Sequence, residues 1–202
     1  MSDLMDNIKN LREMTGAGFL DCKKSLEESD NDLEKAVDFL RKKGLAKANK
    51  KSSREAKEGA AGIYSNQNLT SIILINTETD FAAKNDVFLN FVDEIGNFLI
   101  SKNDPHLSIE SFNEMKFNDR LISDHFKDLI AKIGENIILS KILNMKKNEN
   151  SVITSYIHNP YRKNIGKIAV TLNIKTDKVD NKDLLLLGKN LCMHIAASKP
   201  LA

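Results

Sequence analysis

The segment SIILINTETDFAAKN, residues 71–85, decides how this chain is organised. Its first half is a run of β-branched and apolar residues, which predicts a buried strand. Its second half, residues 79–85, predicts a short polar turn that places the aromatic Phe81 beside the carboxylate of Asp80. Two interpretations of Phe81 stay open. An exposed ring could anchor a partner protein, or the ring could begin the next helix and pack into the core, with Asp80 as the capping residue.

The composition limits the class of protein. A chain of 202 residues with 41% hydrophobic and 29% charged residues predicts a packed core in one large domain or two small ones. The net charge of only +2 argues against a protein built wholly for nucleic acid. Cys22 and Cys192 lack metal-ligand spacing and indicate thiols in a reducing compartment. The acidic start resembles no signal peptide, and no apolar run could span a bilayer. We therefore expect a cytoplasmic protein without a membrane partner.

Residues 1–45 predict a compact bundle of three short helices. Apolar residues recur at helical spacing in three stretches, which are separated by TGAG at 15–18 and ESDN at 28–31. The third stretch is expected to end at Gly44. A bundle of this size is too small to enclose a catalytic cleft, so it is typical of a docking module.

A basic segment follows the predicted bundle. Between Arg41 and Lys57, eight basic residues stand with one acidic residue, Glu55, which gives a local charge of +7. We interpret residues 46–58 as a solvated basic linker. The alternative is a patch that contacts RNA or an acidic partner. Because no aromatic residues are interleaved to stack on bases, a nucleic-acid partner is not expected.

The remainder predicts a mixed core with two subdomains, residues 59–145 and 146–202. The predicted elements are an edge strand at 59–64 in a hairpin with 69–76, a helix from an Asp86 N-cap to about 102, an aperiodic segment at 106–118, a helix at 122–133, a segment at 137–143 ambiguous between strand and helix, a hairpin of 152–158 with 165–174, and a last helix at 180–198. This order has no regular strand–helix alternation. It therefore predicts an α+β fold with antiparallel hairpins.

Recognisable catalytic chemistry is missing from the sequence. No glycine-rich phosphate loop follows a strand, so no direct nucleotide binding is expected. The four histidines are scattered without paired ligand spacing, and no serine or cysteine lies in a nucleophile motif. We expect a protein that acts by binding and is not an enzyme, with no metal and no cofactor.

Four separated motifs carry a family resemblance. They are LREMTGAGFLDCKK at 11–24, TDFAAKN at 79–85, KIGENI at 132–137 and MHIAASKP at 193–200. The chain therefore resembles the elongation factor Ts family over its whole length. The resemblance implies an N-terminal domain similar to ubiquitin-associated domains, and a translation elongation factor that exchanges guanine nucleotide on elongation factor Tu.

The resemblance also implies a mechanism. Asp80 and Phe81, flanked by Thr79 and Ala82, would enter the GTPase domain of elongation factor Tu near its magnesium site. Magnesium and loop amides together hold the β-phosphate in such a GTPase, so disturbing either would release GDP. The new GTP would then displace the exchange factor.

Two further surfaces are implied by the resemblance. Arg12, Phe19 and Leu20 of the N-terminal domain would touch the GTPase domain, although packing in the bundle core is the alternative for these residues. The second hairpin, around His158, Ile165 and Gly166, would contact another domain of elongation factor Tu. This assignment is looser, because the loop between these strands differs from the family pattern.

The chain departs from the family at several points. Ala82 stands where many relatives have valine, and Ser140 and Lys141 stand where relatives have an arginine pair. Many relatives continue beyond the Lys199–Pro200 motif, whereas this chain stops at Ala202. Either the chain is a short form, of which two copies would associate as a homodimer to complete the surface, or the rest is missing.

Two rival functions have distinct tests. A non-catalytic adaptor built on the three-helix module would bind its partner equally well without the turn at Asp80 and Phe81. An RNA-binding translation accessory protein would show RNA affinity that falls steeply with salt.

Overall fold

The computed structural model describes residues 2–198, except for the side chains of residues 2–3 and 45–50. Two expectations, the Lys199–Pro200 signal and the stop at Ala202, concern residues that lie outside the described part of the chain. In chain order the elements are α1 (Ser2–Thr15), α2 (Phe19–Glu27), α3 (Leu33–Lys51), β1 (Glu58–Ser65), β2 (Leu69–Thr77), α4 (Asp80–Ala83), α5 (Asp86–Ser101), α6 (Ile109–Asn113), β3 (Lys116–Phe117), β4 (Arg120–Leu121), α7 (Ile122–Ile133), β5 (Ile137–Lys146), β6 (Ser151–Arg162), β7 (Ile165–Lys175) and α8 (Lys182–Ser198). The α+β class expected from the sequence is confirmed.

The chain forms two compact units. The N-terminal unit contains Met1–Arg54 and Ser123–Asn136, and the sheet unit contains Glu55–Ile122 and Ile137–Ala202. The core of the N-terminal unit is a cluster of five buried side chains, Ile8, Leu11, Cys22, Leu26 and Ala36. Gly16 ends α1 with a φ of +67°, a conformation that suits glycine, while its amide donates to the Arg12 carbonyl at 2.8 Å.

The third helix is longer than the sequence indicated. The expectation that it ends at Gly44 is wrong, because α3 continues to Lys51 and includes the first half of the expected basic linker. Gly44 is buried, and a Cβ atom there would lie 2.9 Å from the Cβ atom of Ala131 in α7. The glycine therefore permits close helix packing and does not end the helix. Farther along, the Lys51 ammonium donates to the Gly134 carbonyl.

The sheet unit is built on one five-stranded sheet in the order β5-β2-β1-β7-β6. The predicted edge strand, β1, is instead the central strand of this antiparallel sheet. It pairs with β2 along its whole length, from Glu58 with Thr77 to Ser65 with Thr70. Its other edge pairs with β7 through two residue pairs, Ala61 with Gly166 and Gly62 with Ile165. Both predicted hairpins thus share one sheet, and the division into two subdomains stays a prediction.

Helix α5 packs on the sheet through Tyr64. The tyrosine hydroxyl donates to the Asp93 carboxylate at 3.0 Å and lies 3.2 Å from the Val92 carbonyl. Burial, with Asp93 beside it, raises the pKa of the Tyr64 hydroxyl far above its ordinary range, so the hydroxyl remains a donor. Gly96 leaves room for the ring, since a Cβ atom there would come within 2.0 Å of it.

The last helix packs through small residues. Gly188, Cys192 and Ala196 are its buried residues, and the Cys192 thiol lies 3.6 Å from the Thr154 carbonyl of β6. By contrast, the larger residues Leu187 and Leu191 of the same helix are exposed, Leu187 at 52%. A Cβ atom at Gly188 would lie 2.7 Å from the Thr154 side chain, so the small residues allow the helix backbone to approach β6 closely.

Two sequence ambiguities are resolved by the sheet unit. Residues 137–143 belong to strand β5, and residues 106–118 contain the short helix α6 and strand β3. Within residues 2–198, no helix combines the length and apolar character required to cross a membrane.

Candidate protein-binding site

The segment Thr79–Asn85, here called the aromatic turn, is a single helical turn between β2 and α5. The Thr79 hydroxyl accepts from the Ala82 amide at 3.2 Å, which satisfies a donor at the start of α4. The Lys84 amide donates to the Asp80 carbonyl at 3.2 Å. Thr79 is therefore the N-cap of α4, and the alternative in which Asp80 caps the helix is wrong.

The aromatic turn is held from one side and presents its ring on the other. Ala82 and Ala83 are buried and attach the turn to the sheet unit, whereas the side chain of Phe81 is 84% exposed. Among the described residues, no other large hydrophobic side chain is as exposed. The alternative in which Phe81 packs into the core is therefore wrong. An exposed phenyl ring on a fixed backbone has the form of an interface anchor.

Asp80 adds a fixed negative charge beside the ring. Its carboxylate accepts from the Lys84 ammonium at 2.9 Å, one helical turn away. The hydrogen bond from Lys84 lowers the pKa of the Asp80 carboxyl below its ordinary range. The same ion pair raises the pKa of Lys84. Asp80 is therefore ionised at neutral pH and stands in a defined position next to Phe81.

The start of α5 continues the aromatic turn. The Asn85 side chain accepts from the Val87 amide at 2.8 Å and is the N-cap of α5, so the expected Asp86 cap is replaced by the preceding residue. Asn85 has the extended backbone conformation of an N-cap, whereas Asp86 is already helical. The cap leaves no loop between α4 and α5 beyond Lys84 and Asn85.

The N-terminal unit presents its three predicted contact residues on its surface. Arg12 and Phe19 are exposed, and the side chain of Leu20 is 78% exposed. Phe19 and Leu20 begin α2, whose buried side is formed by Cys22, Ser25 and Leu26. The alternative in which these residues form the bundle core is therefore wrong. Met14, which the sequence reasoning did not single out, is also exposed on α1.

The second hairpin presents only one of its three predicted contact residues. His158 is half-buried on β6, with its ring nitrogen 3.2 Å from the Tyr156 hydroxyl. Ile165 and Gly166 are buried where β7 pairs with β1. A Cβ atom at Gly166 would come within 2.4 Å of the Ile157 side chain, so this glycine allows close strand packing. His158 is thus the residue of the three that offers side-chain surface.

A basic cleft beside this hairpin was missed by the sequence reasoning. It has a volume of about 860 Å³, and Arg162, Lys163 and Lys189 bring positive charge to its lining, together with Tyr156 and Tyr161. The cleft draws its residues from β1, the second hairpin and α8, which are far apart in the sequence. Only the run of basic residues at 162–163 signalled it. Within residues 2–198, no three His, Cys, Asp or Glu side chains cluster as metal ligands would.

Comparison with known proteins identifies relatives over nearly the whole chain. Residues 78–202 match the family model described as Elongation factor TS. The chain is 40% identical over 198 residues to Elongation factor Ts of Allorhizobium ampelinum and 42% identical over 198 residues to that of Sinorhizobium fredii. It is 41% identical over 197 residues to that of Rhizobium etli. Each match covers 96% of this chain and 62% of the relative, so the chain spans less than two thirds of these curated relatives.

Proposed function

The chain belongs to the elongation factor Ts family, and we propose that it binds GDP-bound elongation factor Tu and promotes the exchange of GDP for GTP. In this proposal the chain is a translation elongation factor that acts in the cytoplasm. It is not an enzyme in the usual sense, because it changes the affinity of its partner for a nucleotide and makes or breaks no covalent bond. It does not bind the nucleotide itself.

The aromatic turn performs the central step of the proposal. Phe81 enters the GTPase domain near the bound magnesium ion, with Asp80 beside it and with Thr79 and Ala82 shaping the turn. Magnesium and the loop amides hold the β-phosphate of GDP together. A ring that displaces either of them therefore weakens the binding of GDP.

The thermodynamics require only a difference in affinity. The chain must bind nucleotide-free elongation factor Tu more tightly than it binds the GDP-bound form. By linkage, GDP then weakens the binding of the chain by the same factor as the chain weakens the binding of GDP. GTP can enter the emptied site and complete the exchange.

One observation carries this proposal: the 84% exposure of Phe81 on a turn whose backbone is held by the Thr79 cap and two buried alanines. A ring that already projects from a fixed backbone loses little conformational freedom when it enters a pocket. The neighbouring carboxylate is also held in place by Lys84. Both features suit an element that acts by insertion.

The other surfaces have supporting roles in the proposal. Arg12, Phe19 and Leu20 contact the GTPase domain from the N-terminal unit, and His158 contacts a second domain of elongation factor Tu. Ile165 and Gly166 support that contact through the backbone and sheet packing, because Ile165 is buried and Gly166 has no side chain to offer.

Release of a fluorescent GDP analogue from elongation factor Tu tests the role of Phe81. Phe81→Ala removes the inserted ring, and an anchor of about 2 kcal/mol predicts a loss of roughly thirtyfold or more in catalytic efficiency. Leu186→Ala is the matched control, since it truncates another exposed hydrophobic side chain on α8. Release by Phe81→Ala at the rate of the unmodified chain would refute the proposed function.

A further inference from the structure

Arg162, at the end of strand β6, joins the second hairpin to the start of α5. One guanidinium nitrogen donates to the Asn90 side-chain oxygen at 2.6 Å. The other donates to the Asp86 carboxylate at 2.9 Å and lies 3.4 Å from the Asp86 carbonyl. These contacts connect residues that are more than seventy positions apart in the chain. A planar guanidinium suits such a site, because it presents several donors in a fixed geometry.

The first turn of α5 is mechanically continuous with the aromatic turn. The Asn85 amide donates to the Ala82 carbonyl at 3.1 Å, and the Leu89 amide donates to the Asn85 carbonyl at 2.9 Å. Asn85 therefore belongs to the hydrogen-bonding pattern of both helices. Any displacement of the start of α5 must also displace the short helix that carries Phe81.

Stability alone is a weak explanation for these contacts. The side chain of Arg162 is 29% exposed, but that of Asp86 is 89% exposed. An ion pair with one partner in solvent contributes little to the free energy of unfolding. Because the ring of Phe81 is exposed, packing against other side chains does not fix its position. The contacts are therefore better placed to restrict the direction of the aromatic turn than to hold the sheet unit together.

We propose that Arg162 is a positioning residue for nucleotide exchange: it holds the start of α5, and through it the aromatic turn, in the orientation that inserts Phe81. This inference rests on the proposed function. It adds a residue of the second hairpin, and in this role Arg162 touches neither the nucleotide nor magnesium. Arg162 acts only through the contacts at Asp86 and Asn90. Its loss should therefore affect insertion more than binding.

Fluorescence tests the positioning without any partner protein. The chain has no tryptophan, so Phe81→Trp introduces a single tryptophan at the ring position, whose emission can be excited separately from that of the three tyrosines. In this background, Arg162→Ala should increase the fast, local component of the nanosecond anisotropy decay, while the melting temperature changes by about 2 °C or less. Lys102→Ala is the matched control, because Lys102 contacts the Phe98 ring at the opposite end of α5. An unchanged anisotropy decay in Arg162→Ala would overturn the inference.

Exchange kinetics test the consequence. Arg162→Ala should lower the maximal rate of GDP release roughly tenfold, since misplaced groups lose much of their effect. The concentration giving half-maximal release should change less than the rate does. The combination of Phe81→Ala and Arg162→Ala should be no slower than Phe81→Ala alone, because Arg162 acts through that ring.

The outcomes separate the two proposals. Two outcomes would overturn only the role of Arg162 and leave the proposed function standing. In the first, the double variant loses rate by the product of the two single losses. In the second, Arg162→Ala releases GDP at the normal rate while Phe81→Ala releases it slowly. Normal release by Phe81→Ala would overturn the proposed function, and the positioning role in exchange with it.

Discussion

At the scale of single residues, the aromatic turn combines an exposed ring with a paired carboxylate. The Lys84 ammonium lies 2.9 Å from the Asp80 carboxylate, and both side chains are substantially exposed. Such a pair adds little to stability. Its structural effect is to restrict the rotamers of Asp80, so that the negative charge stands at a defined place beside Phe81.

The ion pair predicts a measurable change in acid titration. Lys84→Met removes the hydrogen bond that lowers the pKa of Asp80, so this pKa should rise toward the ordinary value of 3.8. Because the folded pKa is lowered, the ion pair favours the folded state above pH 3.8 and loses this effect as the pH falls through the folded pKa. Carboxyl carbon NMR measures the titration residue by residue.

Asp32 is the internal control for that titration. Hydrogen bonds from Lys35 lower its pKa, and nothing in this arrangement involves Lys84. In Lys84→Met the titration midpoint of the Asp32 carboxyl should not change. An Asp80 midpoint that also stays unchanged would show that Lys84 does not hold the carboxylate in solution.

At this scale, the sequence predicted the position of the turn but not its presentation. The strand-like run at 71–75 and the polar residues after it located Phe81. Whether the ring faces the core or solvent depends on how α4 packs on the sheet. The local sequence pattern does not contain this information. The contacts of Arg162 with Asp86 and Asn90 could not be predicted either, since no periodicity links β6 to α5.

At the scale of elements, α5 is the support on which the aromatic turn depends. The helix lies on the sheet through Tyr64, whose ring occupies the space left by the missing side chain of Gly96. The tyrosine hydroxyl also donates to Asp93 of the helix and lies 3.2 Å from the Val92 carbonyl. The orientation of α5 is therefore set by a close contact between a glycine and an aromatic ring.

Substitution of Gly96 tests this support. In Gly96→Ala the new methyl group would lie within 2.2 Å of two Tyr64 ring atoms, so ring or helix must move. Alanine improves helix propensity by about 1 kcal/mol, but overpacking against a buried ring costs more. We expect a net loss of about 2 kcal/mol or more in the free energy of unfolding. Urea denaturation measures this loss.

Glu94→Ala provides the comparison, because Glu94 is an exposed residue of the same helix. Its effect should stay within about 0.5 kcal/mol. Equal stabilities for Gly96→Ala and Glu94→Ala would contradict the close contact between α5 and the sheet.

Elements with strong hydrophobic periodicity were predictable, whereas those packed through small residues were not. The β1–β2 hairpin and α5 appear where the pattern placed them. Gly44 misled the interpretation, because a glycine in a helix can mark either an end or a close approach. Here it marks a close approach to Ala131. The central position of β1 was hidden because strand order depends on contacts between distant segments.

At the scale of the whole molecule, each unit offers a separate surface. The N-terminal unit presents Arg12, Phe19 and Leu20, and the sheet unit presents the aromatic turn and the basic cleft. An adaptor would require only the first of these surfaces. An RNA-binding protein would use the basic residues of the chain and would leave the Phe81 ring without a role.

The central claim is that the chain and GDP oppose each other's binding to elongation factor Tu, and calorimetric titration with and without saturating GDP tests it most directly. The account predicts tighter binding to nucleotide-free elongation factor Tu, with the difference strongly reduced in Phe81→Ala. Equal affinities in the presence and absence of GDP would contradict the account, since a partner that binds both forms equally cannot shift the equilibrium.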